Sequence, residues 1–100
     1  MRVKIIEYYA GSDEAEGDGL AFVDATSAEI RFDYEGITYS YKGKPIREGQ
    51  WFLKCEQNKR SASLYKSVLE EGAYEGTLYF SAPGQAGYRA MWYIEPLDEE

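Results

Sequence analysis

Three acidic residues at alternate positions, Glu14, Glu16 and Asp18, have the spacing from which calcium-binding loops take their carboxylate ligands. Such a loop needs a bidentate glutamate at its twelfth position, but Ala25 occupies that position here. The first ligand is also usually an aspartate, and helices flank the loop, whereas strand-like segments flank this stretch. Residues 11–19 are therefore predicted to be a solvated acidic loop without a metal.

A serine and a lysine three residues apart, Ser63 and Lys66, match the S-x-x-K motif of penicillin-recognising enzymes. Those enzymes have a much larger domain and further serine and lysine motifs, which this sequence lacks. A motif of four residues also occurs by chance in many proteins. We interpret Ser63 as a helix-capping serine and Lys66 as a solvated lysine.

The composition restricts nucleophilic and metal chemistry further. The chain contains no histidine, the commonest general base and metal ligand, and a single cysteine, Cys55. Cys55 alternates with Leu53 and Trp51, which predicts a buried and unreactive thiol. The sequence therefore predicts no catalytic residue, no metal and no cofactor, and a protein that is not an enzyme.

The strongest structural pattern is an antiparallel hairpin over residues 30–41. Apolar and polar residues alternate on both sides of a Glu-Gly link at positions 35 and 36. The pairs expected on one face are Tyr34 with Ile37, Phe32 with Tyr39, and Ile30 with Tyr41. The pairs expected on the other face are Asp33 with Thr38, Arg31 with Ser40, and Glu29 with Lys42. A shift of one residue would turn the aromatic side chains toward water, so the pattern predicts this register.

Weaker patterns predict further strands and one helix. Alternation favours strands over residues 2–9, 20–23, 50–56, 77–82 and 88–94, a turn over 42–45 and a hairpin connection over 82–87. Leu64, Val68 and Leu69 have helical spacing, with serines before them and Gly72 after them as caps. The sequence therefore predicts a short helix over about residues 62–71.

These elements predict an α+β, mainly β protein with a single domain over residues 1–100. About six antiparallel strands would form a twisted sheet or a partly closed barrel, with the helix packed against it. The acidic residues 95–100 are expected to form a flexible tail. Because the apolar segments are too short for a secretion signal or a membrane span, and there is only one cysteine, a cytoplasmic location is expected.

Charge is unevenly distributed along the chain. The net charge is −7, yet residues 42–66 hold seven of the eleven basic residues and carry +5, so the remainder carries −12. A chain this acidic is a poor direct ligand for nucleic acid, whose phosphates select basic proteins. The surplus favours either a basic protein partner or simple solubility.

Acidic residues and outward-facing tyrosines together indicate a partner-binding surface. The candidate residues are Glu14, Glu16, Asp18, Tyr79 and Tyr93. Tyrosine is a low-entropy interface anchor, and carboxylates attract a basic partner. The alternative is that a helix or a second sheet covers the two tyrosines. The three acids near the N-terminus are expected to contribute more than those at 98–100, because ordering a free terminus costs more entropy.

Two hypotheses for function remain open from the sequence. The first is a non-enzymatic protein that inhibits or neutralises a basic, nucleic-acid-binding partner, in some cases by mimicking nucleic acid. Phage-encoded inhibitors of host defence nucleases and immunity proteins against toxins are of this general type. The second is a β domain that binds a small molecule in an aromatic pocket, with Trp51 and Trp92 on predicted inward faces.

Overall fold

Eight antiparallel strands follow one another around a closed barrel in their order along the chain. They are β1 (Arg2–Tyr8), β2 (Glu14–Val23), β3 (Ala28–Tyr34), β4 (Ile37–Arg47), β5 (Gln50–Cys55), β6 (Ser61–Lys66), β7 (Tyr74–Phe80) and β8 (Tyr88–Pro96). The barrel closes because β1 pairs with β8 as well as with β2. The structure is a computed structural model that describes residues 1–8, 14–57, 60–80 and 88–97.

The prediction of a helix over residues 62–71 is wrong. Ala62 and Leu64 alternate into the core as residues of β6, which ends at Lys66, and a turn follows. Val68 and Leu69, expected on the buried side of the helix, are 94% and 76% exposed. Across the described ranges there is no helix at all, and hence none long and apolar enough to cross a membrane. The fold is therefore all-β with eight strands, rather than α+β with about six.

The predicted hairpin register is confirmed at every pair. β3 and β4 pair as expected from Glu29 with Lys42 to Tyr34 with Ile37. The connecting residues Glu35 and Gly36 have φ of 51° and 80°, as a two-residue hairpin turn of type I′ requires. The alternation of the sequence therefore fixes this part of the barrel wall.

Two segments predicted as connections are strands. Residues 14–19 form the first half of β2, and residues 42–45 lie within β4. Their glycines indicated loops, but a Cβ on Gly43 would overlap the carbonyl oxygen of Phe52. Glycine is present there because β4 and β5 approach each other closely. Residues 95 and 96 end β8, whereas the connection expected over 82–87 and residues 98–100 lie outside the described residues, which leave out 81–87.

The middle of the barrel is a packed core of apolar and aromatic side chains. Trp92, the largest of its fully buried side chains, meets Tyr41 edge-on with ring centroids 4.8 Å apart. Gly76 lies opposite Trp92, at the point where a Cβ would contact the indole. The Trp92 Nε1–H donates to Glu7 Oε1 at 2.8 Å, which satisfies the indole. Eight strands enclose about as much space as side chains can fill, so binding sites are expected on the outside or at the ends.

Candidate functional site

The residues predicted to bind a partner lie on strands of one side of the barrel. Glu14, Glu16 and Asp18 are alternate exposed residues of β2. Tyr79 lies on β7 and Tyr93 on β8. Because β1 pairs with both β2 and β8, the strands β7, β8, β1 and β2 form one continuous outer surface. We call this surface the acidic face.

The centre of the acidic face is apolar. Ile6 of β1 pairs with Tyr93 of β8, and the next outward pair is Tyr8 with Met91. Tyr8 and Met91 are 42% and 44% exposed. Adjacent large apolar side chains on a surface mark interaction sites more often than isolated ones do. Sequence reasoning did not assign Tyr8 and Met91 to the site, although apolar residues on both faces of β1 and β8 were the available signal.

Carboxylates lie on both sides of this apolar centre. Glu16 of β2 is the neighbour of Ile6, and Glu75 of β7 is the neighbour of Tyr93. One row of side chains therefore crosses the four strands from an acid to an acid, with an aromatic and an aliphatic residue between them: Glu75, Tyr93, Ile6 and Glu16. This arrangement matches the apolar core and polar rim of protein interfaces.

The charge of the acidic face is negative among the side chains that the structure describes. Its carboxylates are Glu14, Glu16, Asp18, Glu75 and Glu95, and its described cations are Arg2 and Lys4. The Lys4 Nζ lies 3.4 Å from Glu16 Oε1 in a solvent-exposed pair. Exposed pairs of this kind contribute little stability, so a basic partner can replace Lys4 at Glu16 at low cost.

The loop between β6 and β7 is attached to the acidic face through Tyr93. The Tyr93 hydroxyl donates to Glu70 Oε2 at 3.1 Å. Burial raises the pKa of Tyr93, and the Glu70 carboxylate raises it further, so the phenol keeps its proton to a higher pH than an unperturbed tyrosine does. The exposed Val68 and Leu69 of this loop enlarge the apolar surface beside the face. The sequence analysis did not identify Val68 and Leu69 as surface residues, because the predicted helix placed both on its buried side.

A concave site of about 610 Å³ lies at the end of the barrel where β2 and β4 finish. We call it the end cleft. Its lining residues are Val23, Asp24, Ala25, Pro45, Arg47, Glu48, Gly49, Trp51, Lys66 and Tyr74. Trp51 forms its floor and meets Tyr74 edge-on, with ring centroids 6.0 Å apart. Both tryptophans belong to the core, but Trp51 also lines the cleft, whereas Trp92 does not.

Hydrogen bonds fix the walls of the end cleft. Asp24 Oδ1 accepts from the Thr26 N–H at 2.7 Å, the Thr26 hydroxyl at 2.8 Å and the Ser27 N–H at 2.9 Å. These bonds, led by the one from the Thr26 backbone, lower the pKa of Asp24. The Trp51 Nε1–H donates to the Asp24 carbonyl at 3.0 Å. On another wall the Lys66 N–H donates to the Gly49 carbonyl at 3.2 Å.

Two cations line the end cleft. Arg47 follows a register irregularity between Pro45 and Arg47, a feature that commonly redirects a strand side chain. Lys66 is the last residue of β6. Ion pairs within the described ranges join Lys4 to Glu16 and Arg31 to Glu29, so neither cleft cation is in one. Sequence reasoning missed Arg47, because only the fold brings the ends of β4 and β6 together.

The structure does not bring the other residues considered for catalysis or metal binding together into a site. Ser63 lies on β6 rather than at a helix start, and Lys66, three residues on, faces the other side of that strand. Cys55 is buried, with its Sγ 3.5 Å from Gln57 Oε1. Among the described residues no group of acidic, cysteine or histidine side chains could hold a metal. The extended β2 spreads Glu14, Glu16 and Asp18 along a line.

No protein-family model, curated protein or solved structure matches this chain. The fold is an antiparallel barrel with a packed interior, and its acidic face and end cleft are the features from which function is inferred.

Proposed function

We propose that this protein is a small, non-enzymatic binding protein that inhibits or neutralises a basic macromolecular partner through its acidic face. The observation that carries the proposal is the convergence of acidic and aromatic residues from both ends of the sequence on β7, β8, β1 and β2. Carboxylates speed the capture of a basic partner, and the apolar centre supplies the surface that resists dissociation.

Barrel closure limits the mode of contact. Each described strand is paired on both sides over at least part of its length, although residues 14–18 of β2 pair with β1 alone. Little strand edge is therefore free for strand addition, and the proposed mode of association uses side chains on the outer surface. Tyr8, Met91 and Tyr93 would form the dry centre of such an interface, and the carboxylates would form its rim.

The regular spacing of the acids favours a nucleic-acid-binding protein as the partner. Alternate residues of an extended strand are about 6.8 Å apart. Glu14, Glu16 and Asp18 thus form an evenly spaced line of negative charges on β2. Lysine and arginine residues that neutralise successive phosphates of a nucleic acid would meet a comparable line of charges here. An inhibitor of a phage-encoded or immunity type, acting in the cytoplasm by mimicking nucleic acid, fits this chemistry.

The proposal is tested by affinity capture from a bacterial lysate at graded salt, using matched variants. The first variant, Glu14→Gln/Glu16→Gln/Asp18→Asn, neutralises three acids of the acidic face. The control, Glu35→Gln/Glu48→Gln/Glu56→Gln, makes the same change in net charge at exposed positions in the turn after β3, in the turn after β4 and just after β5. A partner recovered with the wild type is then purified for affinity measurements.

The expected partner binds the wild type and the control alike, and binds the first variant at least about tenfold more weakly at low salt. Duplex nucleic acid should compete with this protein for that partner. Equal capture by the two variants, or no capture at low salt where charge attraction is strongest, would contradict the proposal.

A small-molecule-binding domain is the second candidate function, and the end cleft is the observation that favours it. Either tryptophan could line such a pocket or fill the core on the sequence alone; Trp51 lines the end cleft, and Trp92 is part of the core only.

A further inference from the structure

We propose that the end cleft binds a small organic anion with a planar aromatic body. The aromatic body would rest on the apolar lining around Tyr74, above the floor formed by Trp51, and the anionic group would lie against Arg47 and Lys66. This inference does not depend on the acidic face, because none of the carboxylates, tyrosines and apolar residues assigned to that face lines the cleft.

The shape and lining of the end cleft suit a small molecule. Its volume of about 610 Å³ falls within the range usual for ligand pockets. Val23, Pro45, Trp51 and Tyr74 give it apolar walls, and a few charged groups stand among them. Ligand pockets generally combine a mainly apolar surface with a small number of placed polar groups. Trp51 is only 4% exposed, so Tyr74 offers the larger aromatic contact.

The two cations of the cleft favour an anion, although the lining as a whole is formally neutral. Its two acids are Asp24 and Glu48, and its two bases are Arg47 and Lys66. The Asp24 carboxylate already accepts hydrogen bonds from its own turn. Arg47 and Lys66 have no ion pair among the described residues. Arginine presents a planar fork of donors that matches carboxylate, phosphate and sulfonate oxygens, and lysine adds a second positive charge.

The cleft is also preorganised. The turn at Asp24 is held by the hydrogen bond from the Thr26 N–H to the Asp24 carboxylate and by the one from the Trp51 indole to the Asp24 carbonyl. At the end of β6, the Lys66 N–H donates a hydrogen bond to the Gly49 carbonyl. A ligand would therefore have little backbone to order when it binds, which lowers the entropic cost of association.

The probe for the test is anilinonaphthalene sulfonate, a planar aromatic anion, compared with its uncharged parent, phenylnaphthylamine. We expect the sulfonate to bind one site per chain, at least about tenfold more tightly than the parent, because its charged group can accept charge-assisted hydrogen bonds from Arg47 and Lys66 that the parent cannot make. Naphthoate and adenosine monophosphate then distinguish a carboxylate from a phosphate as the preferred anion.

The location of the probe is read from the two indole N–H signals in a nitrogen–proton NMR spectrum. The Trp51 indole N–H donates a hydrogen bond to the Asp24 carbonyl at the cleft, whereas the Trp92 indole N–H donates one to the Glu7 carboxylate, away from the cleft. Addition of the sulfonate should shift the Trp51 signal and leave the Trp92 signal in place. The conservative variant Trp51→Phe assigns the signals.

Matched charge variants complete the test. Arg47→Gln/Lys66→Gln removes both cleft cations, and Lys42→Gln/Lys54→Gln removes two exposed cations that face each other on β4 and β5. The first should weaken sulfonate binding at least about tenfold, and the second should change it by no more than about twofold, the effect of net charge alone.

Three results would each overturn the inference: no sulfonate binding, equal affinity for the uncharged parent, or equal loss in the two charge variants. None of them bears on the acidic face, because the cleft variants leave its residues unchanged. Conversely, failure of the acidic-face variants to affect a partner would leave the sulfonate measurements intact.

Discussion

The acidic face is convex, extends over four strands and presents carboxylates around an apolar centre, whereas the end cleft is concave and presents Arg47 and Lys66 above aromatic walls. The face is made of alternate residues within strands. The cleft is made of turns and strand ends. A closed barrel produces both, since its outer wall is a continuous surface and only its ends leave space between elements.

The comparison shows how one small domain can keep opposite charges apart. The basic segment, residues 42–66, runs from β4 to β6, and the acidic strands lie on the other side of the barrel. Arg47 and Lys66 come from that segment and reach the end cleft. A large basic partner and a small anion would therefore meet different surfaces, and changes at one surface should leave the other intact.

The largest expected effect comes from a change that destabilises the barrel on which both sites depend. Gly43→Ala places a Cβ against the carbonyl oxygen of Phe52, and β4 must then separate from β5. We expect the free energy of unfolding to fall by about 3 kcal/mol, at the upper end of overpacking effects. Urea denaturation followed by tryptophan fluorescence measures this change.

The matched glycine control is Gly17→Ala. Gly17 also lies within a strand, but a Cβ there would meet nothing within 4 Å. Its substitution should change the free energy of unfolding by no more than about 0.5 kcal/mol, as is usual at exposed positions. Equal destabilisation by the two changes would show that Gly43 is not a point of close approach.

A smaller effect should distinguish the two sites through their tyrosines. Burial alone raises the pKa of Tyr74 in the cleft, whereas the pKa of Tyr93 on the acidic face is raised by burial and by Glu70. Glu70→Gln should therefore lower the pKa of Tyr93 and leave that of Tyr74 unchanged. NMR titration of carbon-labelled tyrosine follows each phenol separately.

The pH dependence has a definite sign. A raised folded-state pKa means that the stability from each phenol is fully present below the unfolded value of about 10 and is lost as pH rises through the folded value. The free energy of unfolding of the wild type should thus fall above about pH 10, and that of Tyr74→Phe should fall less over the same pH range. A shift of Tyr74 in the Glu70 variant would mean that the two sites are electrostatically coupled.

Local alternation was sufficient to predict parts of the barrel wall. The register of β3 with β4 and the inward positions of Trp51, Leu53 and Cys55 follow from a period of two, which depends only on neighbouring residues. The helix prediction failed because Leu64 and Val68 have a spacing that fits both periods over so short a segment. Only the pairing of β6 with β5 and β7 decides that Leu64 is a strand residue.

Closure of the barrel could not be predicted in the same way. The pairing of β1 with β8 joins residues from opposite ends of the chain, and no local pattern encodes it. The sequence identified the acids and tyrosines as candidates, but it did not show that they share one surface. The sequence suggested an aromatic pocket that includes Trp51, but it did not locate the end cleft or its cations, because Arg47, Lys66 and Trp51 meet only at the barrel end.

The smallest expected effect separates local contact from total charge on the acidic face. Deleting residues 98–100 removes three acids, the same change in net charge as Glu14→Gln/Glu16→Gln/Asp18→Asn. Attraction by net charge acts mainly on the association rate, whereas contacts inside an interface act mainly on the dissociation rate. The three β2 acids are already held on a paired strand, so a partner can use them without ordering them first.

We therefore expect the deletion to lower the association rate with a basic partner by about twofold or less, and to leave the dissociation rate unchanged. The β2 variant should lower the association rate, weaken its dependence on salt and also raise the dissociation rate. Surface plasmon resonance at two salt concentrations measures both rates. The same kinetics from both variants would mean that total charge alone attracts the partner, and a larger effect from the deletion would place the contact at the C-terminus instead of on β2.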